Sequence, residues 1–276
     1  MTFAPLVGRM YGRALVWRSI GARTKGSFRM RVGILASAVL DLLWYLFWPS
    51  AHVAPLAFVE GTARVEFWGR QFRFFVRRAT DDLYSCLPGR ERDAEATILG
   101  LLNRGDTFVD VGANIGYYSV LASEAVGPAG KVIAIEPVPA TAGVLRHNLR
   151  LNGATNVSAI QKACWSDRGV LSLSMSPGAY GMASAVVRRG AQTVAIECVP
   201  LDDICAPLPQ VRLIKIDAEG SERQVLVGAR TTLTKTDYLV VELSDQQQVV
   251  RELLKDPPFV VRDLAFRPYI LASKER

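Results

Sequence analysis

"FVDVGANIG", residues 108–116, runs an apolar strand into an aspartate and then into a turn holding Gly112, Ala113, Asn114 and Gly116. The residues that follow read as a helix through Ala125. A glycine turn between a strand and a helix is a natural nucleotide site, because the backbone can approach a ligand there and the helix N-terminus favours negative charge. The dinucleotide fingerprint, G-x-G-x-x-G, uses its second glycine to bring N–H groups onto a pyrophosphate. Here Asn114 stands at that place, only G-x-x-x-G remains, and Asp110 at the strand end would repel a phosphate dianion. The Walker lysine is absent too. A ligand with an ammonium, a sulfonium and no phosphate fits these residues better. Asp110 would organise the ammonium of a methionyl group, directly or through water. Gly112 and Gly116 would clear room for it. S-adenosylmethionine is the ligand of that description, and the expectation is tested by what ends the next strand.

The next strand, "KVIAIEP", ends on Glu136, where an acidic side chain can accept both hydroxyls of a ribose. Adenine would then lie against the end of a third strand, near Ala163 and Cys164. Around these pieces, apolar strands and helical segments alternate. "TFVDVG", "KVIAIEP", "NVSAIQKA", "VRLIKID" and "YLVVEL" are the strands; helices are expected over 139–151 and 221–233, with "ERDAEATILGLLNRG" closing at Gly105. "FVVRDLAF" and "YILAS" look like a closing hairpin around Arg267-Pro268. This pattern predicts an α/β, Rossmann-like fold with a mostly parallel sheet covered on both faces and its ligand at the carboxyl ends of the strands.

"FVDVGANIGYYSVLAS", "VIAIEPVPATAGVLRHNLRLN", "VPLDDI" and "LIKIDAEGSERQVLVGA" together resemble the FkbM family of S-adenosylmethionine-dependent methyltransferases. The resemblance runs over about residues 90–266. It implies a class I methyltransferase fold with a seven-stranded sheet and transfer to oxygen on small molecules or glycans. It also implies that Asp110, Gly112, Asn114 and Gly116 line the methionine end and Glu136 the ribose. The cofactor shell expected from both lines of reasoning is Asp110, Gly112, Ala113, Asn114, Gly116, Glu136, Pro137, Ala163 and Asp217.

"IKIDAEGSE" sets a second acidic cluster at the end of the fourth strand. Three readings compete for it. Asp217, with Glu219 beside it, orients or deprotonates a substrate hydroxyl; the acids hold a divalent cation that acidifies a diol; or Glu219 and Glu222 cap the following helix. Asp217 and Glu219 are the catalytic candidates, with no metal assigned, and Glu242 is a weaker strand-end candidate. The stretch 164–205 looks irregular and is expected to fold over the site as a lid, touching substrate through Tyr180, Met182 and Ser184; a surface hairpin is the alternative.

The formal net charge of +7 is confined to one end. Residues 1–31 hold Arg9, Arg13, Arg18, Arg23, Lys25, Arg29 and Arg31 and no acid, so the remainder is neutral, with 26 basic residues against 26 acidic ones. A duplex-binding surface needs a basic face on the folded body, so no nucleic acid partner is expected. "DPPF", 256–259, resembles an adenine-methylating loop but follows a helix rather than the fourth strand. Cys86, Cys164, Cys198 and Cys205 form no C-x-x-C pair and read as reduced core residues. "VGILASAVLDLLWYLFW", 32–48, interrupted by Asp41, has three readings: a helix on a membrane surface or partner, a helix packed on the body, or a true span. The expected organisation is an apolar, basic helical extension over 1–56, a hairpin lead-in over 57–90 around Gly69, and a methyltransferase domain over 91–276. Expected partners are a small-molecule or glycan acceptor, with peripheral membrane contact through the N-terminal helix, in a cytoplasmic or membrane-associated setting. An inactive methyltransferase-fold scaffold held to a membrane or partner is the competing reading.

Overall fold

The structure is a computed structural model that describes residues 4–47, 55–176, 179–184, 192–243, 247–265 and 268–274. The chain divides into two compact units, residues 1–90 with 177–181, and residues 91–176 with 182–276.

In the first unit, α1 (Ala4–Arg23), β1 (Thr24–Lys25) and α2 (Phe28–Phe47) precede β2 (Gly61–Phe67), β3 (Arg70–Val76) and α3 (Asp82–Ser85). β2 and β3 form the hairpin expected around Gly69, in antiparallel register from Gly61↔Val76 to Phe67↔Arg70. Its turn places both Trp68 and Gly69 at positive φ, 53° and 70°. That primed geometry matches the right-handed twist of the strands. β1 adds a short third strand, with Thr24 opposite Val65.

The apolar stretch expected over 32–48 begins earlier, at Phe28, and is the second arm of a helical hairpin whose first arm is α1. Asp41, the acid that interrupts the apolar stretch, explains the hairpin. Its carboxylate accepts Arg13 Nε at 2.7 Å and Nη2 at 2.6 Å, and Trp17 Nε1 at 2.7 Å. A buried acid is tolerated where a guanidinium fork and an indole N–H replace its water. Among the described residues, no helix is long and apolar enough to cross a membrane.

The second unit runs α4 (Arg92–Leu101), β4 (Thr107–Val111), α5 (Tyr117–Val126), β5 (Lys131–Ile135), α6 (Pro139–Leu151), β6 (Val157–Ile160) and β7 (Ala163–Cys164). It continues through β8 (Gly169–Ser176), β9 (Ala179–Ser184, whose residues 179–181 are counted with the first unit), β10 (Gln192–Val199), α7 (Leu201–Cys205) and β11 (Val211–Ile216). α8 (Glu222–Val227), α9 (Arg230–Thr234), β12 (Thr236–Glu242), α10 (Gln247–Leu253), β13 (Val260–Asp263) and β14 (Tyr269–Ser273) complete it. Its main sheet has seven strands in the order β13-β14-β12-β11-β4-β5-β6. β12, β11, β4, β5 and β6 are parallel, and β14 enters antiparallel between β12 and β13. This is the class I methyltransferase sheet, with the expected C-terminal antiparallel hairpin. Val109, Ile133, Ile135, Ile214, Ile216, Leu239 and Val241 are buried in one core, as strands covered on both faces require. The chain leaves β4 towards β5 and β6, then returns to β11 on β4's other side. The crevice for a ligand therefore opens at the carboxyl ends of β4 and β11.

Two expectations change. The helix expected over 221–233 is two short helices, because the Asp202 carboxylate caps a new helix start, accepting the N–H groups of Thr231 at 3.0 Å and Thr232 at 2.6 Å. The stretch 164–205, read as irregular, holds a second sheet in the order β7-β10-β8-β9. β8 and β10 pair antiparallel from Gly169↔Cys198 to Met175↔Gln192, close to the hairpin alternative. The side chains of Tyr180, Met182 and Ser184 lie outside the described residues. α4 closes at Leu101, ahead of Gly105, whose N–H donates to the Val126 carbonyl at 2.9 Å. The four cysteines are free and buried.

Removing one partner from a buried charge pair leaves the other desolvated and costs about 3 kcal/mol or more. Asp41→Ala is accordingly expected to unfold the first unit at markedly lower urea concentration than wild type, read by far-ultraviolet circular dichroism. Unchanged denaturation would show that the Arg13–Asp41–Trp17 cluster does not hold the hairpin.

Candidate active site

Gly112 follows β4 with φ of 76°, and a Cβ there would sit 1.8 Å from the Asp217 carbonyl oxygen. No other residue fits, because the ends of β4 and β11 meet backbone to backbone at this point. The N–H groups of Gly112 and Ala113 both donate to the Ile135 carbonyl, at 3.0 and 2.9 Å, and Gly116 N–H donates to the Ala113 carbonyl at 2.8 Å. Asn114, at φ 48°, donates its N–H to Glu136 Oε2 at 2.9 Å. These four donors are thus engaged inside the fold and do not form the nest of N–H groups that a phosphate needs. Gly116 is the N-cap of α5.

Glu136 Oε1 accepts the Val138 N–H at 2.9 Å, so this carboxylate ties the first glycine turn to the loop that enters α6. An ionised carboxylate has about four acceptor sites, so it can serve backbone donors and a ligand's hydroxyls together. Pro137 is half-buried beside it. Ala163 packs with Val138 in one apolar cluster, whereas Cys164 belongs to the main core. Asp110, Gly112, Asn114, Glu136 and Ala163 are thereby brought around two adjoining loops.

The second half of the site is organised by a residue that the sequence reading passed over. Lys215 is opposite Asp110 in the β11–β4 register, and its side chain is buried. Its Nζ donates to Asp217 Oδ2 at 3.1 Å and to the Gly112 carbonyl at 3.5 Å, and it lies 3.7 Å from Asp110 Oδ1. The Tyr118 ring stands 5.3 Å from the same ammonium. Burial alone would discharge it, yet Asp217 and then Asp110 outweigh burial and raise its pKa, so it remains a cation. The available signal was in plain view: a lysine inside the apolar run "VRLIKI" has to be paired to be buried.

Asp110 accepts the Ser119 hydroxyl on Oδ2 at 2.6 Å. Burial pushes its carboxyl up, against the pull of Lys215 and the Ser119 hydroxyl. Glu242, at the end of β12, hydrogen-bonds Asp217 and accepts the Tyr269 hydroxyl on Oε2 at 3.0 Å. Burial, together with the Asp217 charge, lifts Glu242 from the ordinary 4.5 to about 9. Burial and the surrounding acids likewise raise Tyr269, which stays a phenol. The weaker candidate of the sequence thus sits in direct contact with the stronger one. Glu222 turns back to accept Gly220 N–H on Oε1 at 2.9 Å, which braces the turn before α8; among the described residues no side chain caps that helix start. Glu219 is exposed at φ 46°. Among the described residues, no group of three or more His, Cys, Asp or Glu is placed to hold a metal ion.

Among the described residues, two buried acceptors in this region lack a hydrogen-bond donor: Asp110 Oδ1, which has the Lys215 ammonium only at 3.7 Å, and Asn114 Oδ1. A buried acceptor without a donor costs free energy, and an ammonium-bearing ligand supplies donors where a phosphate could not. The residues present therefore fit S-adenosylmethionine.

Lys215→Met would leave Asp110 and Asp217 without their shared cation, at a cost of about 3 kcal/mol or more. The expected outcome is a large fall in melting temperature, partly restored by Asp217→Asn in the same chain; two independent losses would show that the pair is not coupled. Glu242 binds a proton in the folded state between about pH 4.5 and 9 that it loses when unfolded. Its contribution to stability is therefore greatest below its unfolded pKa and declines as pH rises towards 9. In Glu242→Gln that part of the slope should vanish when melting temperature is followed against pH.

A family model described as the methyltransferase FkbM domain matches residues 110–267. The methyltransferase sdnD of Sordaria araneosa is 32% identical over 57% of this chain and 75% of its own length. The hexuronic acid methyltransferase AglP of Haloferax volcanii is 28% identical over 55% of this chain and 62% of its own length. The 2-O-methyltransferase NoeI of Sinorhizobium fredii is 41% identical over 20% of this chain and 23% of its own. Among solved structures, an S-adenosylmethionine-dependent O-methyltransferase from Thermotoga maritima aligns over 77% of both chains, with TM-score 0.44 and 17% identity. With its sheet order, its phosphate-excluding glycine turn and a match over more than half its length, the chain belongs to the FkbM family of S-adenosylmethionine-dependent methyltransferases.

Proposed function

We propose that this enzyme methylates a hydroxyl oxygen on a sugar, glycan or secondary metabolite, and that nucleic acid is not its acceptor. The observation that carries the reading is the carboxyl pair Asp217–Glu242 at the open ends of β11 and β12. At neutral pH Glu242 keeps its proton, while Lys215 keeps its charge on the other side of Asp217. Asp217 is thereby fixed as an acceptor, and it reaches solvent, with 21% of its side chain accessible against 2% for Lys215. Such a carboxylate can hold the proton of an incoming hydroxyl and raise the electron density on its oxygen. S-adenosylmethionine, when bound, supplies a sulfonium-activated methyl group, so this modest assistance suffices.

In this reading Asp110 Oδ1 and Asn114 Oδ1 receive the methionyl ammonium, and the Glu136 carboxylate accepts the ribose hydroxyls. Pro137 and Ala163 flank the nucleoside, and Glu219, exposed beside Asp217, meets the acceptor. Two relatives support this acceptor, one a methyltransferase of hexuronic acid and one a 2-O-methyltransferase: the first points to a carbohydrate and the second to oxygen. The charge balance of residues 32–276, 26 basic against 26 acidic, supports an acceptor other than nucleic acid.

The test is a panel of hexuronic acids, neutral sugars and host metabolite extract incubated with enzyme and isotopically labelled S-adenosylmethionine, read by mass spectrometry. Label on a hydroxyl oxygen is expected; label on nitrogen or on RNA alone would overturn the reading. Asp217→Asn should lower kcat by about a hundredfold or more, with cofactor affinity nearly unchanged. Asp110→Ala and Glu136→Ala should each weaken S-adenosylhomocysteine binding about tenfold or more in calorimetry, without unfolding. A folded wild-type sample that binds no S-adenosylhomocysteine would favour the inactive scaffold.

A further inference from the structure

The two faces of α2 are unusually distributed. Its inward stripe, Met30, Ile34, Ser37 and Asp41, is buried and carries two polar residues. Asp41 is held by Arg13 and Trp17, and Ser37 Oγ donates to the Gly33 carbonyl at 2.6 Å while accepting the Phe58 N–H at 2.8 Å. Its outward face is more apolar than the inward one. Phe28, Val32, Leu35, Val39, Leu40, Leu43 and Trp44 are all exposed, Phe28 by 83% and Leu35 by 67%. They follow helical spacing and cover about 24 Å of axis at 1.5 Å per residue. A water-facing helix normally shows the reverse arrangement, and a contiguous apolar face of this length marks an interaction surface.

The charges beside this face identify what covers it. Residues 1–31 contain seven basic residues and no acid. Arg13 is bonded to Asp41, Arg23 to the Pro88 carbonyl and Lys25 to Glu66. Arg18, Arg29 and Arg31 remain exposed, the last two on the first turn of α2 beside Phe28 and Val32. The acid of α2, Asp41, is buried and neutralised. The hairpin therefore shows solvent an apolar stripe bordered by cations with no acidic partner among the described residues, with Trp44 near its far end. A second copy of this chain would bring the same cations to the contact and repel. Anionic phospholipid offers the complement: headgroups for the arginines, an acyl boundary for the leucines and an interfacial layer that suits tryptophan.

We propose that α2 docks this protein on an anionic membrane surface, lying in the interface with Phe28, Val32, Leu35, Val39 and Leu43 inserted and Arg29 and Arg31 among the headgroups. This docking is independent of the acceptor of the methyl group. It holds the enzyme at the surface without crossing it, since Asp41 and its partners stay on the inner side of the helix.

The full chain would be sedimented with vesicles of phosphatidylcholine alone and of phosphatidylcholine mixed with phosphatidylglycerol, at low and high salt. Co-sedimentation with the anionic vesicles, weakened by salt, is expected. Arg29→Gln with Arg31→Gln should reduce partitioning about fivefold per residue. Leu35→Gln with Val39→Gln should remove most of it at any salt concentration. Both positions are solvent-facing, so circular dichroism and S-adenosylhomocysteine binding should match wild type and establish that the variants are folded. Failure of the wild type to sediment with anionic vesicles would overturn the proposal. So would binding that survives Leu35→Gln with Val39→Gln, which would mean charge alone holds the protein. A dimer in sedimentation velocity that the same pair of substitutions dissolves would also overturn it, assigning the face to a second copy.

Discussion

A single ammonium group conditions the second unit. Lys215 Nζ sits among Asp110, Asp217 and the Gly112 carbonyl at the meeting point of β4 and β11, where the two halves of the parallel sheet diverge. Carboxylates grouped at strand ends repel one another in a poorly solvated place, and an internal cation makes that grouping tolerable. With Lys215 charged, Asp217 is held as an acceptor; with Asp217 charged, Glu242 keeps its proton. The site is therefore poised before any ligand arrives, which is the condition under which electrostatic assistance is most effective.

The glycine turn shows the same economy. Its N–H groups are consumed by Ile135, Ala113 and Glu136, and what it leaves unsatisfied are acceptors, Asp110 Oδ1 and Asn114 Oδ1. A turn that offers acceptors selects a cationic ligand, and a turn that offers donors selects an anionic one. This is the physical content of the difference between the present G-x-x-x-G and the dinucleotide fingerprint. Glu136 serves both loops, so its carboxylate is structural as well as ligand-facing.

The first unit uses an enclosed ion pair differently. Arg13 and Asp41 join two helices and remove from solvent the acid of α2, leaving the outer face apolar and cationic. The same residue that interrupts the apolar run when read along the chain is, once its partner is known, what fixes which face of the helix points inward.

How much was legible follows from range. Local chemistry marked the hairpin at Trp68-Gly69, the apolar parallel strands, the closing antiparallel pair and Glu136 at its strand end, because each depends on neighbours in the chain. β8 and β10 escaped notice although "VLSLSMS" and "TVAIECV" alternate, since short alternating runs carry little weight without their partner. The break between α8 and α9 was hidden because its cap, Asp202, comes from a distant segment. The sequence by itself determined the fold class, the family and the acids at the strand ends. Only the tertiary structure decided that Lys215 centres those acids, that Glu242 holds a proton against Asp217, and that Asp41 belongs to Arg13. Charge, burial and protonation depend on which groups meet across long separations, and a strand pattern does not record those meetings.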